Sequence, residues 1–129
     1  MNESAEDLLR SFELRAAEQA ERAQLLSRRL ARNSTMVESP DGAVRVVVDS
    51  TGGLADLRFG RAAREVPLDR LAELVLTTSK RAQAELADSM GELVSQVYGP
   101  GSDTATFVSQ AYAERFPAPA PDDEDRDQR

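Results

Sequence analysis

Arg28, Arg29 and Arg32 fall within little more than one helical turn, and Arg58, Arg61 and Arg64 recur at steps of three. Clustered guanidinium groups grip phosphate or carboxylate oxygens through paired N–H donors, so these spacings offer recognition of a polyanion. Lys80 and Arg81 make a smaller third pair. A cation near a helix C-terminus also complements the helix macrodipole. The spacing by itself therefore leaves a structural role open beside a binding one. Aromatic residues are too few among the clusters to build a base-stacking platform for single strands.

Other chemistry finds little support. Asp41, Asp49, Asp56, Asp69, Glu73, Glu85, Asp88 and Glu92 stand singly on expected strand, turn or helix positions, often near an Arg, and read as solvated surface charge. Paired acids would be needed for acid–base work or for a hard cation. Ser50, Thr51, Thr77, Thr78 and Ser79 have no His to activate them, and no motif joins one to Lys80. Gly52-Gly53 suggests a phosphate cradle, but a Walker loop continues into Lys-Ser/Thr and a helix. Here the pair runs into Leu-Ala-Asp-Leu, a strand pattern, so the glycines read as a tight turn. No catalytic residue, cofactor or metal site is expected.

Composition narrows the class. The chain has 129 residues, no Cys, no His and no Trp, with hydrophobic residues at 40% and net charge −7. Ala, Leu and Val dominate the apolar set, which points to a thin, helix-rich core. A domain of this size buries roughly two-thirds of its unfolded surface, and dimerisation is a common remedy. Without Cys there is neither disulfide nor thiol chemistry. No apolar run is long enough to span a bilayer, and MNESAEDLL lacks the plan of a signal peptide. A cytoplasmic location is expected. Residues 117–129 carry five acids and two arginines, a local charge of −3, so the remainder is still acidic at about −4.

The elements that must position the arginines follow from periodicity. Residues 4–33 read as one long helix, opened by the capping box Ser4-Ala-Glu-Asp7. Leu9, Ala16, Ala23 and Leu30, offset by Phe12, Gln19 and Leu26, form a coiled-coil-like seam. Such a helix is roughly 45 Å long, more than a small core covers, so part of it must project or meet another chain. From Thr35 the period falls to two. Strands are expected at 36–39, 44–49 and 54–59, with turns at Pro40-Asp41-Gly42 and Thr51-Gly52-Gly53. Val44, Val46 and Val48 line one face, against a helix. Residues 60–66 read as a loop. Pro67-Leu-Asp69 opens a second long helix to about Tyr98, with Leu71, Val75, Thr78, Ala82, Leu86, Met90, Leu93 and Val97 on its stripe. After Gly99-Pro100-Gly101, a short third helix over 104–116 places Phe107, Val108, Ala111, Tyr112 and Phe116 on one face. Residues 117–129, rich in Pro and acid, are expected to be disordered.

The order long helix, three-stranded antiparallel meander, long helix, with Gly42-Ala-Val44-Arg-Val46 opening the central strand, Gly52-Gly53 at its far turn and the Ala-rich LAELVLTTSKRAQAELADSM, resembles the YbaB/EbfC family over roughly residues 5–98. These are small bacterial nucleoid-associated proteins. The resemblance implies an α+β protomer, here with an added short C-terminal helix, and an obligate homodimer with protruding helices. Together with the pattern beyond Gly99, three segments are expected: a YbaB/EbfC-like domain over 1–98, a linker and short helix over 99–116, and the acidic tail over 117–129. A dimer would draw on Leu9, Phe12 and Ala16 of the seam and on Val44, Val46 and Val48, the two sheets meeting across it. The family is associated with DNA binding, often with little sequence preference.

Two functions are thereby expected. One is a non-catalytic DNA-binding homodimer of the nucleoid, contacting duplex phosphates through Arg28, Arg29 and Arg32 first and Arg58, Arg61 and Arg64 second. The alternative is a protein-interaction adaptor or chaperone-like dimer without nucleic acid, its partner held through residues 102–116. Some actinobacterial relatives are tied to type VII secretion loci, which suits that role. Neither needs a membrane or a small-molecule substrate.

Overall fold

The computed structural model describes residues 2–118, with side chains from residue 4. The expectation of a disordered tail falls, from residue 119 onward, outside the described residues. The element order is α1 (Asn2–Arg32), β1 (Thr35–Glu38), β2 (Val44–Val48), β3 (Leu54–Phe59), a 3-10 helix (Arg61–Glu65), α2 (Leu68–Tyr98) and α3 (Asp103–Arg115). The fold is the expected α+β one.

The strands form one antiparallel sheet in the order β1-β2-β3. Thr35 pairs with Val48 and Val37 with Val46; Val44 pairs with Phe59, Arg45 with Arg58 and Val46 with Leu57. Near Val47 and Val48 the register shifts, and Ala55 is left without an opposite residue. Both hairpins close through an aspartate. Asp41 Oδ1 accepts from the Ser39 hydroxyl at 2.8 Å and the Ala43 amide at 3.0 Å. Asp49 Oδ1 accepts from the Thr51 hydroxyl at 2.6 Å and from the amides of Thr51 and Gly53 at 2.9 and 3.1 Å. Gly42 (φ 75°) and Gly52 (φ 84°) take the left-handed positions these turns require.

One helix closes one face of the sheet. α2 packs on β1 and β2, where Val37, Val44, Val46 and Val48 meet Leu74, Ala82, Leu86 and Met90. Each fully buried valine contributes roughly 1.5–3 kcal/mol. The buried row of α2 steps by four, from Leu74 through Thr78, Ala82, Leu86 and Met90 to Val94. A row at steps of four drifts about 40° per step around the helix. The row therefore serves the sheet at one end and α1 with α3 at the other. This drift demotes Leu71, Val75, Leu93 and Val97 to half-buried flanks and promotes Leu74 and Val94, which the sequence stripe left out.

Other expectations are corrected. Residues 61–65 are a short 3-10 helix rather than loop, held by Ala63 N–H to Gly60 O at 3.0 Å and Val66 N–H to Ala63 O at 3.1 Å, with Ala62 and Ala63 against the core. On α3 the inward face is Ala105, Val108, Ser109 and Tyr112, while Phe107 is 73% exposed and Ala111 faces solvent. The cause is close approach: Ser109 fills the space that a side chain on Gly91 of α2 would occupy. Small residues thus outrank the aromatic in setting the helix rotation.

The α1 seam divides in two. Leu26 and Leu30 pack with Val94, Val97, Ala105 and Val108. Leu9, Phe12 and Ala16 are exposed, so the first half of the helix projects from the protomer. Val44, Val46 and Val48 are wholly buried beneath α2 within their own protomer. With no surface left to give, these valines cannot supply the dimer contact expected of them. On the same side of the sheet β3 is not roofed by α2, and Leu54 and Phe59 stay half-exposed.

Candidate nucleic-acid interface

The first arginine cluster closes α1. Arg29 and Arg32 occupy its last turn, where the helix dipole favours cations. Arg28 stands one residue before Arg29 and four before Arg32; Arg28 and Arg32 share the face turned away from Leu26 and Leu30, with Arg29 at its flank. All three are exposed, and none forms an ion pair with another described residue. The sequence shows why: no Asp or Glu occurs between Glu21 and Glu38. That acid-free window also holds Arg22, one heptad before Arg29 on the same helix face, which reasoning from clusters alone missed. The gap in acids was the available signal.

The second cluster does not act as one unit. Arg58 lies on the outer face of β3 and contacts Asp56 at 3.2 Å. Directly opposite is Arg45, which leans to Glu38 at 3.2 Å. Each acid draws its arginine off the facing like charge, and both pairs are too exposed to hold much energy. Arg61 and Arg64 sit three apart on the 3-10 helix, where such residues eclipse and share a side. They follow Phe59, which pairs with Val44 at the β1–β2 turn end of the sheet. Arg32 precedes Thr35, which pairs with Val48 at the other end. The two clusters are therefore separated by the strand length, about 17–20 Å. Lys80 on α2 is exposed and Arg81 half-buried.

The carboxylates do not converge on a reaction centre. Backbone N–H of Ala43 and the Ser39 hydroxyl hold Asp41 below the ordinary carboxylate range, and the Thr51 hydroxyl and amide do the same for Asp49. Their lone pairs are engaged in turns. A cleft between α2 and α3 is lined by Asp88, Gly91, Glu92, Ser95 and Ser109, with no basic residue beside the hydroxyls. Among the described residues, no group of three or more potential ligands is placed to hold a metal ion, and no helix is long and apolar enough to cross a membrane. The chemistry that this surface offers is cationic: exposed guanidiniums grouped at two ends of a sheet.

No curated protein matches the chain. The sequence model of the YbaB/EbfC DNA-binding family matches residues 9–101, from the exposed half of α1 to the end of the α2 turn. The match contains both arginine clusters and the whole meander, and stops short of α3. That span covers most of the chain, and the protein belongs to the YbaB/EbfC DNA-binding family, a family of nucleoid-associated proteins.

Proposed function

We propose that this protein is a non-catalytic, nucleoid-associated homodimer that binds duplex DNA through phosphate contacts. The observation that carries this reading is the exposed Arg28–Arg29–Arg32 group at the C-terminal end of α1, which forms no ion pair among the described residues and lies within the family match. Three like charges without a neighbouring acid repel one another and gain from any polyanion laid across them. Arg58, Arg61 and Arg64 supply a secondary contact, weakened by the Asp56 pairing. A dimer doubles both clusters, which lets an acidic chain present basic ground locally. Its interface draws on the apolar surface the protomer leaves open: Leu9 and Phe12 of α1, and Leu54 and Phe59 of β3. Phosphate binding of this kind carries no sequence code and weakens steeply with salt. The place of action is the nucleoid in the cytoplasm.

The test is fluorescence anisotropy of a labelled duplex at low and physiological salt. The triple variant R28E/R29E/R32E is expected to lose binding while its thermal unfolding stays that of the parent. Unchanged affinity and an unchanged salt slope in that variant would remove the assignment.

One observation favours a second reading, an adaptor. α3 lies outside the family match and presents Phe107 at 73% exposure. If a partner protein is held there, Phe107→Glu abolishes its co-purification and spares DNA binding.

A further inference from the structure

Phe116 fixes where the chain leaves the fold. Its ring occupies the space that a side chain at Gly52 would need, so the end of α3 is pinned to the β2–β3 turn. Val48 pairs with Leu54 beside that turn and with Thr35 of β1. The three strand ends thus lie in a row, and the start of β1 stands about 10 Å from the turn. Arg32 is three residues before Thr35. The root of residues 117–129 is therefore at the same end of the sheet as Arg28, Arg29 and Arg32, and at the opposite end from Arg61 and Arg64.

We infer that residues 117–129 act as an internal polyanion that occupies Arg28, Arg29 and Arg32 and competes there with DNA phosphates. The inference rests on the DNA-binding reading above and assigns that site its regulation. Charges match: the segment holds Asp122, Asp123, Glu124, Asp125 and Asp127 against two arginines, and the cluster has no acid of its own between Glu21 and Glu38. Reach suffices. Thirteen residues fully extended span at most about 43–47 Å, several times the gap to be crossed. Tethering at that length gives an effective concentration in the millimolar range. The cleft between α2 and α3 is an unfavourable seat, because Asp88 and Glu92 line it. Arg115 over Phe116 and the Lys80–Arg81 pair near Gln83 are smaller cationic groups than the three arginines of α1. Arg61 and Arg64 lie a full strand length further on, with Glu65 beside them.

The experiment separates this contact from DNA binding itself. The chain contains no Cys, so Q128C carries a single spin label on the full-length protein. Relaxation enhancement is read at the backbone amides of residues 28–32 with no DNA present. Strong broadening in low salt, relieved in half-molar salt and absent in a variant with the five tail acids changed to Asn or Gln, is the expected result. Amides unaffected in low salt overturn the inference, whatever the protein does with DNA. The second arm compares duplex binding of the full chain with that of residues 1–116. Removing the tail is expected to tighten binding about tenfold at low salt, the gain shrinking as salt rises. Equal affinities despite a detected tail contact would overturn the competition. Loss of all duplex binding by both forms would instead remove the DNA-binding reading, and the competition with it, while leaving the tail contact measured.

Discussion

The ring of Phe116 stands where a side chain at Gly52 would have to be, so the residue that caps the C-terminus of α3 seals the turn between β2 and β3. Gln83 reaches the same turn from α2, its side-chain amide donating to Gly52 O at 2.9 Å. A segment outside the family match is thereby tied into the family core at its one left-handed sheet-turn glycine beside β3. Gly52→Ala meets two penalties, a positive φ and the ring. It is expected to destabilise by about 2–4 kcal/mol in urea unfolding. Phe116→Ala removes the ring clash but not the φ strain, so the double variant should lose less than the sum of the singles. Strict additivity would mean that ring and turn do not interact.

Thr78 is fully buried on α2, and its hydroxyl has no hydrogen-bond partner among the described residues. Its neighbours differ: Thr77 donates to Glu73 O at 2.9 Å and Ser79 to Val75 O at 2.7 Å. Thr78→Val keeps the shape and discards an unsatisfied group, and is expected to raise stability by about 1 kcal/mol. A loss of that size in thermal or urea unfolding would show that the hydroxyl is satisfied.

Asp41 and Asp49 are both held below the ordinary carboxylate range in the folded protein, first by the Ala43 amide and by the Thr51 hydroxyl respectively. A depressed folded value means that the ionised form favours the native state. The contribution is present above the unfolded carboxylate value of 3.8 and is lost as pH falls through the folded value. D41N/D49N keeps the shape of both turns without the charge. Its melting temperature should lie below the parent's at pH 7 and converge with it once the pH has fallen below the folded values of both carboxylates. A gap that persists at acid pH would assign the effect to geometry instead.

Folding and assembly should respond to different residues on the same side of the sheet. Val46→Ala removes two buried methyl groups beneath α2 and is expected to cost about 2–3 kcal/mol of folding stability. Leu54→Glu with Phe59→Glu touches only the half-exposed strand β3, so the protomer should stay folded while the dimer dissociates. Light scattering across a dilution series, with far-ultraviolet circular dichroism as the folding control, reads both. A dimer that survives the double glutamate would place its interface elsewhere, with Leu9 and Phe12 next to be tested.

Val44, Val46 and Val48 show how local pattern and tertiary structure divide the information. Alternation declared a buried strand face, because successive side chains of a strand point to opposite sides. It could not say whether a helix of the same chain or a second chain would do the burying. The position of α2 over β1 and β2 settled that. Likewise the acid-free window from Glu21 to Glu38 was there in one dimension, with Arg22 in it. The separation of Arg32 from Arg61 by a whole strand exists only once the register is known. The inward turn of Ser109 in place of Phe107 depends on Gly91, a residue of another helix.

By itself the sequence determined the element order, the meander and its aspartate-glycine turns, because periodicity and backbone freedom are local properties. It also determined where cations can accumulate without neutralising neighbours. Only the tertiary structure decided which apolar faces are used up inside the protomer, which arginines share an end of the sheet, and that α3 returns to Gly52. Those outcomes depend on residues far apart in the chain competing for the same surface, and close packing resolves that competition only when the whole chain is in place.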